Sequence, residues 1–353
     1  MNNKNLLENK IETFKHISQN VVTFPKNNIF SQLIKKSIEI VTVPKPEDSN
    51  SNQANVGIVL DEILIFKILS EHYTEVLITE IKTKKDLAKL ALRKPDLVFS
   101  GVKYFHFDNK KVWLNDYLEL NDIFYIASNK SSLLKESNKS RAKKIIKKSN
   151  IPTADFFTTE PGEHKNKKTI PITFPLFIKP ITGGDSRGID KNSIVYNYSG
   201  YKKKVLEIKK KQHSRSLVEK YLSGKEYSVG IFKDNISGLI EAMPIEIIVK
   251  KNINGHHILD FDIKKNDEEE VIAVLNVKIF NQLSVLAKKS FIALKGKSFG
   301  RIDFKMDNLG EPHFIEANLM PGIKKGYFYR SCLLNLKINY EEMILKIAAN
   351  GLH

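Results

Sequence analysis

Between residues 37 and 100 the hydrophobic period alternates between two and nearly four. That alternation constrains the fold more than any other feature of the chain. Residues 37–43 (Ser-Ile-Glu-Ile-Val-Thr-Val) read as a strand, and 44–55 as a loop rich in Pro, Ser and Asn. A helix over 56–73, a strand over 75–81, a helix over 85–93 and a strand over 96–100 follow. Such an order implies a parallel sheet with helices on its faces. One further helix is expected over 131–149, with lysines on its outer face and a stop before Ile151-Pro152. Beyond it the pattern becomes mainly strands, at 176–180, 193–196, 216–221, 227–232 and 239–249, separated by glycine-bearing turns. A long helical segment over 271–295 precedes a closing hairpin over 300–318. The chain therefore reads as α/β passing into α+β, without an internal repeat. Residues 1–36, polar with a weak helical period, read as an N-terminal extension.

A length of 353 residues with 41% hydrophobic content supports two or three domains with their own cores. The single cysteine, Cys332, excludes a disulfide scaffold and any zinc site built from several thiolates. The start lacks the apolar core of a signal peptide. The greasiest stretch, 56–69, is broken by Asp61, Glu62 and Lys67, which fits a buried helix and not a membrane span. A cytoplasmic protein is expected. The net charge of +17 raises the question of nucleic acid. Only six of the 57 basic residues are arginine, leaving 51 lysines. Arginine is the residue for bidentate phosphate and guanine contacts, so a solvated basic surface is the better reading. No nucleic-acid and no membrane partner is expected.

The hairpin carries the most chemistry. In Gly300-Arg-Ile-Asp-Phe-Lys-Met-Asp-Asn-Leu-Gly-Glu-Pro-His-Phe-Ile-Glu-Ala-Asn, Asp307-Asn-Leu-Gly310 supplies the turn. If the loop closes on an even number of residues, Asp303 faces Glu316 and Arg301 faces Asn318. Side chains two apart share a face of a strand, so all four project to one side. Opposed carboxylates repel. A hard cation between them removes the cost, and such an oxygen set suits Mg²⁺ beside nucleotide phosphates. A solvated edge hairpin is the plainer alternative.

A strand running into Lys179-Pro-Ile-Thr-Gly183-Gly184-Asp185-Ser186-Arg-Gly188 forms a glycine-rich turn whose amides can converge on an anion. It is neither a Walker A loop nor a dinucleotide fingerprint. Gly184 to Gly188 also fits G-x-S-x-G, with His313 as a conceivable base. That elbow must enter a helix, however, and a turn and strand follow here, so the hydrolase reading is rejected. Glu219 and Glu226 flank a short connection between two strands and pass as surface carboxylates in isolation. Gly255-His256-His257 reads as a turn with chance imidazoles, and no H-E-x-x-H is present.

Taken in order, these segments resemble the ATP-grasp carboxylate–amine ligases, most closely the D-alanine–D-alanine ligase family. The resemblance covers about residues 125–323. It implies an ATP-grasp fold behind an N-terminal parallel-sheet domain, divided as 1–36, 37–138, 139–224 and 225–353. It implies that Lys139, Lys179 and Lys264 hold ATP phosphates under the 183–188 loop, with Gly184 and Ser186 taking part. Glu219, Lys220, Tyr221, Leu222, Glu226 and Ile315 would enclose adenine and ribose. Asp303, Glu316 and Asn318 would carry two Mg²⁺ ions, or Mn²⁺. Arg301, Ser186 and Lys264 would be catalytic, stabilising the acyl-phosphate and tetrahedral states. Small-molecule carboxylate and amine substrates and a homodimer follow from the same resemblance.

The departures fall on the substrate side. The family's Gly-Gly-x-Ser-x-Glu turn is replaced by Pro44-Lys-Pro-Glu-Asp-Ser-Asn, where Glu47 or Asp48 is the candidate for holding an ammonium group. Ser100-Gly-Val-Lys-Tyr-Phe-His replaces a His-Gly-x-x-Gly-Glu stretch. Asp185 and Lys265 stand where the family has a hydrogen-bonded serine and tyrosine, and an ion pair between them would take over that bond. Lys324, Lys325 and Tyr327-Phe328 replace a Ser-Leu carboxylate site. The expectation is an ATP-dependent ligase forming an amide bond through an acyl phosphate, on substrates other than two D-alanines. The alternatives are a D-alanine–D-alanine ligase with a divergent N-terminal half, and a non-catalytic nucleotide-binding or RNA-associated protein.

Overall fold

A computed structural model of the chain describes residues 33–44, 57–184, 186–250 and 255–353. Most of the N-terminal extension, residues 45–55 of the loop with Glu47 and Asp48, and Asp185 lie outside the described residues, and with Asp185 goes the expected pair with Lys265.

The alternating segment forms β1 (Ile34–Thr42), α1 (Glu62–Ser70), β2 (Tyr73–Glu80), α2 (Lys84–Arg93) and β3 (Leu97–Ser100), followed by β4 (Tyr104–Phe107), β5 (Lys110–Trp113), α3 (Leu114–Glu119) and β6 (Phe124–Tyr125). The sheet order is β2-β1-β3-β6, with β1, β3 and β6 parallel. The first helix starts six residues later than expected, because Asp61 caps it by accepting from the Leu64 amide. Ahead of the cap, Gly57 makes a bridge to Val102 instead.

The single helix expected over 131–149 is two helices, α4 (Lys130–Glu136) and α5 (Lys139–Lys148). Asn138 interrupts the run by capping the second, accepting from the Arg141 amide. That break makes Lys139 the first residue of α5.

A four-stranded antiparallel sheet of order β7-β10-β8-β9 comes next, from β7 (Phe156–Thr159), β8 (Leu176–Pro180), β9 (Ile194–Val195) and β10 (Ser216–Lys220). Its face is covered by α6 (Tyr198–Gln212), which the sequence reading passed over. Tyr201, Val205 and Ile208 form its buried apolar stripe among eight residues of lysine, glutamate and glutamine.

A five-stranded sheet, β13-β12-β11-β14-β15, follows from β11 (Glu226–Lys233), β12 (Ile240–Ile248), α7 (Phe261–Asn266), β13 (Glu270–Ala273), α8 (Val277–Ala293), β14 (Phe299–Met306) and β15 (Pro312–Asn318). The helical segment expected from Val271 therefore begins as a strand, and Asn276 caps α8. Helices α9 (Tyr327–Leu336) and α10 (Tyr340–Gly351) close the chain. One core runs from Ile38, Leu97 and Phe99 through Met343 and Ile347 to Phe304 and Phe314, so α10 packs the N-terminal sheet against the last one. Among the described residues, no helix is long and apolar enough to cross a membrane.

Candidate active site

The hairpin pairs as its alternation implies. Asp303 lies opposite Glu316, and Arg301 opposite Asn318. The loop is odd, however, because Met306 pairs with Pro312. A β-bulge restores the register: Phe304 pairs with Phe314, so Ile315 is the extra residue. Without it, every side chain beyond Phe314 would move to the opposite face, and Glu316 would leave Asp303. Ile315 itself lines the cavity in front of the two carboxylates.

That cavity lies between the four-stranded and five-stranded sheets. It collects Lys139, Lys179, Gly184, Ser186, Glu219, Lys220, Tyr221, Leu222, Glu226, Lys264, Asp303, Ile315, Glu316 and Tyr327. Residues up to 188 positions apart in sequence thus meet around one space. Lys265 and Lys324 are exposed and outside its lining, and Lys325 likewise.

At the anionic end, Arg301 Nε and Nη2 donate to the two oxygens of Asp303 at 2.9 and 2.8 Å, and Ser228 Oγ donates to Asp303 Oδ1 at 2.7 Å. Asn318 Nδ2 lies 3.5 Å from Asp303 Oδ2. Burial opposes a charged Arg301, yet Asp303 beside it holds the guanidinium above its ordinary value. Burial alone would raise Glu316; Lys139, Lys264, Lys179 and Arg301 outweigh it and pull the carboxyl down to about 2. Glu316 is therefore an anion at any working pH. Asp303 and Glu316 line the cavity, while Asn318 and Arg301 stand beside Asp303 outside that lining; two carboxylates facing a cavity fit a hard divalent cation.

The cationic side is built on α5 and β8. Lys139 Nζ donates to the Gly183 carbonyl at 2.5 Å and lies 4.0 Å from Glu316. Burial lowers its pKa, with Glu316 working in the opposite sense. Lys179 Nζ sits 2.7 Å from Glu219 Oε2, and Lys143 Nζ 2.6 Å from Glu219 Oε1. Lys143 was not singled out by the sequence; it is one lysine among 51 and no motif marks it. Burial would raise the Glu219 carboxyl, but the two lysines hold it below the usual range. Glu226 takes Lys305 at 3.0 Å.

The glycine-rich turn is tied to the opposite wall by Ser186 Oγ, which donates to the Leu259 carbonyl at 3.0 Å. No helix follows Gly188, in line with the rejected nucleophile elbow. The two imidazoles read as accidental are not so. The His256 ring stacks on Tyr196 and meets Tyr221 edge-on, while His257 lines the cavity and bonds the Val249 carbonyl. Only the folding of 255–260 over the cavity shows this, since the pair lacks a metal-ligand spacing.

Comparison with known proteins gives the family. The family described as D-ala D-ala ligase C-terminus matches residues 145–349. The D-alanine–D-alanine ligase of Aquifex aeolicus is 30% identical over 248 residues, 69% of this chain and 79% of that protein. That of Sinorhizobium fredii is 28% identical over 254 residues, 70% and 78%. Among solved structures, the D-alanine–D-alanine ligase from Bacillus anthracis complexed with ATP superposes with a TM-score of 0.67 at 20% identity, covering 90% of this chain and 97% of that one. The VanG D-Ala:D-Ser ligase from Enterococcus faecalis gives 0.63 at 17%, covering 90% and 99%. Fold and site thus define an ATP-grasp ligase, an enzyme that forms C–N bonds at the expense of ATP. The chain belongs to the D-alanine–D-alanine ligase family. Its cofactors are ATP and a divalent metal, its substrates small molecules, and the non-catalytic alternative is set aside.

Proposed function

We propose that this enzyme activates a small carboxylate as an acyl phosphate and passes it to an amine, on a pair of substrates other than two D-alanines. The observation that carries the substrate half is Tyr327. Where the family's second-substrate carboxylate site is expected, this chain puts a bulky phenol whose hydroxyl is bonded to Glu269 at 2.6 Å. A ring fixed there narrows the space for a second amino acid. The cations Lys265, Lys324 and Lys325 on neighbouring segments favour an acceptor that bears added negative charge.

In this reading Lys139, Lys179 and Lys264 neutralise the phosphates, with Gly184 and Ser186 in the loop above them. Glu219, Lys220, Tyr221, Leu222, Glu226 and Ile315 surround the base and ribose. Asp303, Glu316 and Asn318 would hold two Mg²⁺ ions, which would supply charge neutralisation at the transferring phosphoryl group. Arg301 steadies the oxyanion that forms when the amine attacks. Positioning and electrostatics do the work, and no side chain needs to bond to substrate. Residues 37–138, 139–224 and 225–353 act as an N-terminal domain and two grasping halves.

A second reading has a specific observation behind it. Relatives such as the D-alanine–D-alanine ligase of Aquifex aeolicus, 30% identical, favour the joining of two D-alanines. Phosphate release measured over D- and L-amino acids, hydroxy acids and amines separates the two. Selective turnover of D-alanine with itself overturns the proposal; turnover with other pairs upholds it.

A further inference from the structure

Tyr327 opens α9, and its ring faces two cations. The Arg301 guanidinium carbon lies 5.4 Å from the ring centroid and Lys264 Nζ lies 5.7 Å from it. Two like charges brought to one place repel, and an aromatic face attracts both. The ring is fixed from behind. Its hydroxyl donates to Glu269 Oε1 at 2.6 Å. Glu269 is 8% exposed, and its second oxygen is buried without a hydrogen-bond partner. The nearest cation, Arg330 Nη1, stands 4.0 Å from Oε1, while Arg330 Nη2 is committed to Asp267 at 2.6 and 2.7 Å.

A buried carboxylate with so little compensation is costly to keep, and leaving it wholly unpaired costs more. Glu269 does not line the cavity, so it contributes through the side chain it holds. Burial, together with Glu269, pushes the Tyr327 phenol up, which keeps it a hydrogen-bond donor throughout the working range. Asp267 and Glu269 directly follow α7, the helix that bears Lys264. The end of that helix is thereby joined to α9 at two points, one buried and one at the surface.

We infer that Tyr327 holds Lys264 and Arg301 in place at the reaction centre, and that Glu269 is the positioning residue that sets the ring. This rests on the assignment of Lys264 to an ATP phosphate made above. It adds a residue to the reaction centre's machinery, Glu269, that touches neither the cavity nor a motif.

The test is MgATP affinity, measured by calorimetry on the full chain for Tyr327→Phe, Tyr327→Ala, Glu269→Ala, Glu269→Gln and Lys264→Ala, with melting temperatures alongside. Removing the ring in Tyr327→Ala should weaken MgATP about three- to tenfold, the size of a partly desolvated cation–π contact. Tyr327→Phe and Glu269→Ala should each give a smaller loss, and combining them should cost no more than the worse single change. Glu269→Gln keeps an acceptor oxygen for the hydroxyl and should stay within about twofold of the parent. A merely structural role for Glu269 would show as a lower melting temperature with unchanged MgATP affinity, and that would overturn the inference. Equal losses in Glu269→Gln and Glu269→Ala would overturn it too. If Lys264→Ala leaves affinity unchanged, the phosphate assignment fails and takes this inference with it. If Lys264→Ala weakens binding while the Tyr327 variants do not, only the inference falls.

Discussion

Lys143 donates to Glu219 at 2.6 Å with none of its side chain exposed. Lys179 takes the other carboxylate oxygen at 2.7 Å, so one anion joins α5, β8 and β10 beside the cavity. Lys143 also reaches Thr153 Oγ1 at 2.5 Å and the Phe314 carbonyl at 3.2 Å. Removing one partner of a buried ion pair leaves charge that nothing compensates. Lys143→Met should therefore lower the unfolding free energy by about 3 kcal/mol, read from urea denaturation at neutral pH. A midpoint equal to the parent's would show that Lys179 alone satisfies Glu219.

The same carboxylate sets a pH dependence. Its folded pKa lies below the unfolded value of about 4.3, so the unfolded chain binds the proton first as acid is added. The stabilisation is full above the unfolded pKa and is lost as pH falls through the folded one. Stability should drop on acidification below about pH 5. Glu219→Gln, which has no proton to take up, should flatten that limb in urea midpoints measured from pH 6 downward. An unchanged slope would place the acid sensitivity elsewhere.

How much of this could be read from residues alone depends on what kind of relation carried it. The opposition of Asp303 and Glu316 is local, set by strand alternation and a turn, and it stood in the sequence. The bulge at Ile315 did not, because an extra residue in a strand has no signature of its own. It even corrected an error, since the odd loop would have spoiled the register expected from an even one. Helix α6 was hidden by composition: lysines surround its apolar stripe of Tyr201, Val205 and Ile208. Lys143 and Glu219 lie 76 residues apart and meet only through packing, which no short window of sequence contains. The same holds for Glu269 and Tyr327, 58 residues apart.

The opposed carboxylates make a prediction about the metal. Asp303→Asn and Glu316→Gln preserve shape but remove the charge that a divalent cation needs. Each should reduce substrate-dependent ADP release by at least about a hundredfold, the scale of losing one electrostatic contact to a transferring group. Melting temperature should fall as well, because Asp303→Asn leaves the buried Arg301 without its carboxylate partner and Glu316→Gln removes the anion that faces Lys139 and Lys264. Raising Mg²⁺ should recover part of the rate. Full activity in both variants would remove the hairpin from the reaction.

The position just before Arg301 in β14 is held by Gly300, a residue without a side chain, for a steric reason. A Cβ there would lie 2.8 Å from Phe291 Cε2 and 3.2 Å from the Asn318 carbonyl oxygen. Phe291 is fully buried on α8 and cannot withdraw without disturbing the core beneath the sheet. Gly300→Ala must then displace either that ring or the end of β15, where Asn318 sits opposite Arg301. Overpacking of this kind costs about 1–3 kcal/mol, so a lower urea midpoint is expected. Because the strand end that moves also bears Asn318, the Mg²⁺ concentration needed for half-maximal turnover should rise in parallel. A variant that loses stability while keeping the parent's Mg²⁺ requirement would show that the helix yields and the hairpin does not.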